Sequence, residues 1–321
     1  MANSILAEIA AVLNNANTVV IACHARPDGD ALGSGLALCL ALKNAGKEAY
    51  MLCEEAPSQR LTVLPAMETT YQEMPQGVNP DLFVAVDSAE LNRIGIFTEQ
   101  FLSFKGNTLN IDHHVSNHGF AKYNYVFPDS SATCEIMPEV LEAAGFEITK
   151  EIADLLALGL LTDSGNFSHN DVSPKTFTVA AKLKERGADI SNIGYLMFTR
   201  QSKARAILYG RVISGMRFEL DDRLAFLIVT QRDFEETGTD KSQTEHFVDF
   251  PLSIEGVEVS ISLMEVKKLQ YKASLRSKRV DVNAVAAKFG GGGHVLASGC
   301  MLTGELEEVV ERLKYAVYQQ L

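Results

Sequence analysis

Apolar residues in this chain come in short runs that stop abruptly at polar turns, and the turns share one character. Thr18 to Cys23 (TVVIAC) is a β-branched run that ends in HARPDGDALGSG, and Ala31 to Ala45 then has the apolar density and length of a helix closing near Gly46. Asp81 to Val86 (DLFVAV) and Thr108 to Ile111 (TLNI) read as buried strands, each stopping at polar residues. Helical segments intervene, which predicts parallel strands joined by right-handed crossovers. Thr149 to Leu161 (TKEIADLLALGLL) reads as a helix that runs into TDSGNF, and MANSILAEIAAVLNNAN reads as an amphipathic first helix rather than a leader.

Further along, about Asp171 to Arg186 looks helical, and about Ser191 to Arg211 reads as a helical connector carrying Arg200, Lys203, Arg205 and Arg211. Beyond it the texture changes. Leu224 to Thr230, Val257 to Val266 and Tyr271 to Leu275 read as strands, and Glu305 to Gln320 closes the chain as an amphipathic helix. The expected fold is therefore α/β. A mostly parallel sheet with flanking helices occupies residues 1–190, a helical linker 191–205, and a smaller α/β domain 206–321, with a cleft between the two domains.

Composition narrows the partners. A chain of 321 residues, 46% hydrophobic and 22% charged, has enough apolar material for two cores. A formal charge of −12 argues against a general binder of long duplexes, which need phosphate neutralisation by Lys and Arg, but leaves small anionic substrates met by a local basic patch. Cys23, Cys39, Cys53, Cys134 and Cys300 show no CxxC spacing, so they read as reduced thiols in a cytoplasmic protein. No apolar run approaches the roughly 18 to 20 residues of a membrane span. A homodimer is left open.

The turns carry the chemistry. His24, Asp28 and Asp30 follow the first strand, Asp87 the second, Asp112-His113-His114 the third, and Asp163 the helix end. Open α/β sheets gather such positions along one crevice, where carboxylates and imidazoles would repel unless positive charge sat among them. Two divalent ions satisfy that requirement. The His and Asp set, without cysteine, suits Mn²⁺ or a related first-row ion better than structural zinc, with Mg²⁺ the alternative. Pro27 and Gly29 are expected to fix a turn that points Asp28 and Asp30 toward two adjacent ions. Asp30 has a second reading as the cap of the helix that follows. Asp87, alone at its strand end, is the candidate bridge. Ions about 4 Å apart would activate a water and clamp the oxygens of a phosphoester.

Two features in the second half suit a phosphate-bearing ligand. Strand alternation places Lys272, Ser274 and Arg276 on one face, and Lys267, Lys268, Lys278 and Arg279 make this the dense basic patch of an acidic chain. Phe289-Gly290-Gly291-Gly292-Gly293-His294 reads as a ligand loop in which Gly291, Gly292 and Gly293 bring backbone N–H groups near an anion, with His294 beside them. It is not a Walker loop, because no GK[ST] follows. His118, His169 and His246 fit no ligand spacing and read as surface residues.

Taken in order, HARPDGDALGSGLAL, VAVDSAE, NIDHH and LLTDSGNF resemble the four motifs of the DHH phosphoesterases, and the distal SLRS with GGGGH resembles their associated C-terminal domain. Within that family, PDGDALGS and the short two-domain length look most like members that hydrolyse very short RNA to mononucleotides and convert 3′-phosphoadenosine 5′-phosphate (pAp) to AMP. Linear dinucleotides such as pApA are related candidates. The resemblance implies that His24, Asp28 and Asp87 hold one Mn²⁺ and that Asp30, Asp87, His113 and Asp163 hold the other. It implies that His114 contacts the scissile phosphate as donor or general acid, and that Arg276 and His294 bind the substrate's terminal phosphate or base. Pro138 departs from the pattern, since it falls inside the helix expected after SSATCEIM.

Three rivals stand beside this reading. A pyrophosphatase would share the first-half motifs, but no SRKKQ-like motif stands in the second half. A processive single-strand exonuclease usually carries further nucleic-acid-binding domains, for which the chain has no room. A non-catalytic nucleotide sensor would more plausibly have lost a ligand.

Overall fold

β-Branched and aliphatic runs assemble the sheet of the first of two units, Met1–Arg200 and Gln201–Leu321, in a computed structural model that describes residues 3–58 and 61–321. In chain order the first unit contains α1 (Leu6–Asn15), β1 (Thr18–Ala22), α2 (Gly29–Asn44), β2 (Glu48–Leu52), β3 (Thr70–Tyr71), β4 (Leu82–Val86), α3 (Thr98–Ser103), β5 (Asn107–Asp112), β6 (Tyr123–Val126), α4 (Thr133–Ala143), α5 (Lys150–Asp163), α6 (Pro174–Glu185) and α7 (Ile190–Gly194). The strands run in the order β3-β2-β1-β4-β5-β6 and every pair is parallel.

Both faces of this sheet are buried, which is why its central strands read as unbroken apolar runs. Val19, Ile21, Val84, Val86, Leu109 and Ile111 pack on one side against α1, α2, α4 and α5, while Val20, Phe83 and Ala85 pack on the other against Phe97 and Phe101. β2 and β6 escape that pattern. β6 contains Asn124, which is buried and folded back on Ala121, its Nδ2 donating to the carbonyl at 2.7 Å. α4 runs through Pro138 to Ala143, so the proline interrupts one backbone bond without ending the helix.

α2 and α5 touch backbone to backbone, and glycine permits it. A Cβ on Gly33 would lie 2.5 Å from the Leu155 carbonyl oxygen, and one on Gly159 would lie 2.8 Å from Asp30 Oδ1. Gly29 serves the same contact, for its φ is ordinary and a Cβ there would meet the Thr162 side chain at 2.3 Å. The expectation that Gly29 shapes a turn is thus corrected: it opens α2 and lets α5 approach.

The second unit contains α8 (Lys203–Ser214), β7 (Arg217–Glu219), β8 (Leu224–Val229), α9 (Gln231–Thr237), β9 (Val259–Lys267), β10 (Gln270–Ser277), α10 (Val282–Ala287), β11 (Gly292–His294), β12 (Ala297–Thr303) and α11 (Leu306–Tyr318). Its sheet runs β11-β12-β10-β9-β8-β7, antiparallel except between β8 and β9. α10 and α11 cover one face, and Leu208, Val212, Phe234 and Phe247 pack on the β8 side of the other. The helical connector is broken: α7 gives way to a single wide turn over Tyr195–Thr199, and α8 starts only at Lys203, where the Ser202 hydroxyl accepts the Arg205 N–H.

Candidate metal centre

The strand order reverses between β1 and its neighbours β2 and β4, and ligands of open parallel sheets bind at such a switch point, beyond the carboxyl ends of the strands. His24, Asp28 and Asp30 leave β1, Asp87 follows β4, His113 and His114 follow β5, and Asp163 ends α5. The described residues form three groups close enough to hold an ion: His24, Asp28 and Asp87; Asp30, His113 and Asp163; and Asp87, His113 and His114.

Asp87 joins the groups. Its Oδ2 lies 3.5 Å from His24 Nε2, and its Oδ1 lies 3.6 Å from His113 Nε2. The backbone turns sharply to achieve this, with Asp87 at φ 49°, in the left-handed region that Asp tolerates better than most residues. His24 Nε2 is also 3.5 Å from Asp28 Oδ2, and His113 Nε2 is 3.2 Å from Asp163 Oδ2 and 4.0 Å from Asp30 Oδ2.

Outer contacts aim these groups. Asp28, and not Asp30, caps α2: its Oδ1 accepts the N–H groups of Asp30 and Ala31, each at 3.0 Å, which leaves Oδ2 for His24. Asp30 instead meets the start of α4, where Ala132 offers no side-chain cap. Thr133 N donates to Asp30 Oδ2 at 2.6 Å and Cys134 N donates to Oδ1 at 2.8 Å. The cap reading of Asp30 thus concerns a helix some hundred residues later. His113 Nδ1 donates to the Ser130 carbonyl at 3.0 Å, keeping Nε2 directed at the carboxylates. His169 is exposed, as expected, yet its Nδ1 lies 2.7 Å from the Asp163 carbonyl oxygen and so steadies the end of α5.

His114 is half-buried, its Nδ1 donating to Asp112 Oδ1 at 2.7 Å and lying 3.8 Å from Asp87 Oδ1. Asp112 is fully buried, and its other oxygen accepts from Asn117 Nδ2 at 2.6 Å. Burial works to raise the Asp112 pKa, but the His114 hydrogen bond and charge outweigh it and hold the carboxyl below its ordinary range. The same contact raises the His114 pKa. Asp112 stands in a triplet that reads in the sequence as a ligand cluster, but its partners are His114 and Asn117 and it joins none of the three ion-holding groups; Asn117 has no signature in the sequence.

The electrostatics fit divalent ions. Burial, reinforced by Asp87, pushes Asp30 up to about 7, and burial with Asp30 pushes Asp163 up to about 6. Burial disfavours charged His24, yet Asp28 and Asp87 override it and raise its pKa to about 10; Asp163, Asp30 and Asp87 do the same to His113, also to about 10. Carboxylates driven toward protonation and imidazoles driven to keep a proton are groups competing for missing positive charge. Hard oxygens with imidazole nitrogens are donors for Mn²⁺, Mg²⁺ and similar ions.

In the second unit, Lys272, Ser274 and Arg276 alternate with buried Tyr271, Ala273 and Leu275, as expected of one outward face. Arg276, Ala297 and His294 are register partners in one row across β10, β12 and β11, and Ser274, Gly299 and Gly292 form the next row. Two expectations change. The glycine run is not a loop throughout: Gly292–His294 is an edge strand, and a Cβ on Gly291 or Gly293 would strike a β12 carbonyl oxygen at 2.1 or 2.5 Å. The basic patch is thinner than its sequence, because Arg279 Nη2 and Nε donate to Glu258 at 2.7 and 2.8 Å.

Comparison with known proteins agrees with this architecture. The DHH family N-terminal domain matches residues 18–160, and the DHHA1 domain matches residues 222–320. The bifunctional oligoribonuclease and PAP phosphatase NrnA of Thermus thermophilus is 36% identical over 94% of this chain and 90% of its own. The probable bifunctional oligoribonuclease and PAP phosphatase NrnA of Streptococcus mutans is 29% identical over 97% of each. The crystal structure of an exopolyphosphatase-related protein from Bacteroides fragilis has a TM-score of 0.86 at 29% identity, covering 98% of this chain and 95% of that one.

Proposed function

The chain belongs to the DHH family and is a phosphoesterase, and from that premise we propose that it hydrolyses short oligoribonucleotides, dinucleotides such as pApA included, to mononucleotides, and pAp to AMP. The supporting observation is Asp87, whose two carboxylate oxygens face separate histidines and so suit a bridge between two ions. His24, Asp28 and Asp87 would hold one ion; Asp30, Asp87, His113 and Asp163 would hold the other, with Mn²⁺ the first choice. When bound, such ions supply Lewis-acid activation of a water and neutralisation of phosphoryl charge.

The protein's own groups do the rest. Asp28, Asp30 and His113 are fixed by backbone hydrogen bonds before any substrate arrives, so little reorganisation accompanies the reaction. His114, whose hydrogen bond to Asp112 raises its pKa and engages Nδ1, presents Nε2–H to the leaving oxygen. As water attacks phosphorus and gives up a proton to solvent, the ester P–O bond breaks and the leaving oxygen takes the Nε2 proton, departing as a hydroxyl. In the second unit, Arg276 and His294 would bind the substrate's terminal phosphate or base, with Lys272, Ser274, Gly291, Gly292 and Gly293 as further substrate-binding residues. Five unpaired cysteines suit action in the cytoplasm.

The test is product analysis of an RNA series from dinucleotide to about twenty nucleotides, with pAp and pyrophosphate alongside, in Mn²⁺. Conversion of the shortest RNAs and pAp to mononucleotides, lost in Asp87→Ala, is the expected result. Activity on pyrophosphate alone would overturn it.

A further inference from the structure

Within the second unit, Asp249 lies between two basic side chains that come from different segments. His246 Nδ1 is 2.9 Å from Asp249 Oδ2, and Arg276 Nε is 3.4 Å from Asp249 Oδ1. One carboxylate thus holds an imidazole and a guanidinium side by side, on its two oxygens. Arg276 is in turn steadied by its Nη1, which donates to the Leu275 carbonyl at 3.0 Å.

The arrangement is not what anchors this segment. Phe247, Val248 and Pro251 are buried, and the turn Phe247–Ser253 packs on β9 and β10. Arg205 fastens its entrance, with Nη2 donating to the Glu245 carbonyl at 2.8 Å and the guanidinium lying 5.0 Å from the Phe247 ring centroid. Between those two fixed neighbours His246 is forced to φ 65°, yet its side chain stays 59% exposed. Strained backbone that its surroundings over-determine is characteristic of binding sites, whereas exposed ion pairs contribute little to stability. Nδ1 faces Asp249, so Nε2 is the ring nitrogen left for a ligand; Glu245 Oε1 lies 3.9 Å from it.

We infer that His246 is a second phosphate-binding residue, which Asp249 holds beside Arg276 to take the terminal phosphomonoester of a nucleotide. The inference rests on the reading of Arg276 as substrate-binding and adds the group that sets specificity. Arg276 supplies fixed charge and Nε2–H donates to a phosphate oxygen; a 5′-hydroxyl lacks the negative charge that makes both contacts strong. The row that runs from Arg276 through Ala297 to His294 spans about 9 to 10 Å, which leaves a small-residue floor beside the phosphate for the nucleoside.

The experiment compares kcat/KM for pApA and ApA, together with equilibrium binding of AMP and adenosine, in the full chain and in His246→Asn. Asn tolerates the left-handed backbone, so the fold is kept. The expected loss for pApA and AMP is about 10-fold or more, with ApA and adenosine within about twofold of the parent. Asp249→Asn, which frees both basic groups, should reduce the same preference. Equal losses with and without the phosphate, or no loss at all, would overturn the proposal. Should the parent protein cleave neither dinucleotide, the proposed activity falls, while a preference for AMP over adenosine that His246→Asn abolishes would still support the phosphate site. No such preference in the parent overturns that site too.

Discussion

Asp112 receives the Nδ1 proton of His114 across 2.7 Å, and this buried carboxylate thereby decides which ring nitrogen faces outward. An imidazolium poised as general acid should lose strength without it. Asp112→Asn is expected to lower kcat about 100-fold, and to move the alkaline limb of the kcat profile to lower pH, since the acid form of His114 would no longer be supported. A reduced kcat with an unmoved limb would assign Asp112 a purely structural role.

Metal uptake should expel protons. His24 and His113, each raised to about 10, are charged at neutral pH in the metal-free protein, and an imidazole must be neutral to coordinate. Calorimetry in buffers of different ionisation enthalpy should show about two to three protons released as the site fills at pH 7, Asp30 at about 7 adding to the two histidines, and affinity should tighten from pH 6 to 9. The sign for stability follows from the same shifts. Folded pKa values above the unfolded one stabilise fully below about 6.5, and that contribution drains away as pH rises toward about 10. The metal-free melting temperature should therefore fall across that window. A flat profile together with no proton release would contradict the charge state described here.

Asp87→Asn should reduce bound Mn²⁺ from two ions per chain to at most one, read by elemental analysis, and lower kcat by about 1000-fold. Asn accepts φ 49°, so the backbone remains. Without metal the substitution should not lower stability, because burial already disfavours the charged Asp87 carboxylate and raises its pKa. Two ions retained would remove Asp87 from the bridge.

Gly159→Ala tests the helix contact behind the site. The added methyl would meet Cys134 Sγ at 2.3 Å and Asp30 Oδ1 at 2.8 Å, so α5 must retreat from α2. Urea denaturation should show a loss of about 1–3 kcal/mol, with weaker metal binding through the displaced Asp30. Unchanged stability would mean that the contact is slack.

The parts legible in the sequence are those with a side-chain signature. β1, β4 and β5 announce themselves because strands covered on both faces are continuous apolar runs, and His24, Asp28, Asp87 and His113 stand at their ends. What stays hidden depends on partners far along the chain. The start of α4 holds Asp30 through two backbone N–H groups, which no residue type advertises, and the Ser130 carbonyl that aims His113 is equally silent. Gly292–His294 reads as part of a ligand loop because glycine leaves no trace of the β12 backbone it must pass. His246 looks incidental until Asp249 and Arg276 come together around it.

Because every strand of the first sheet is parallel, β1, β4 and β5 all have their chemistry at one end and their connection to the preceding helix or turn at the other, about 16 Å away for a five-residue strand. Gly46 and Gly77 lie on those approach segments, with no atom within 4 Å of the space a side chain would take. Insertions there would lengthen the protein without disturbing the ligands, whereas the turns that leave β1, β4 and β5 carry the ligands themselves and have almost no freedom to change length. The direction of the strands thus sorts the crossovers into those that evolution or an engineer can extend and those that must stay as they are.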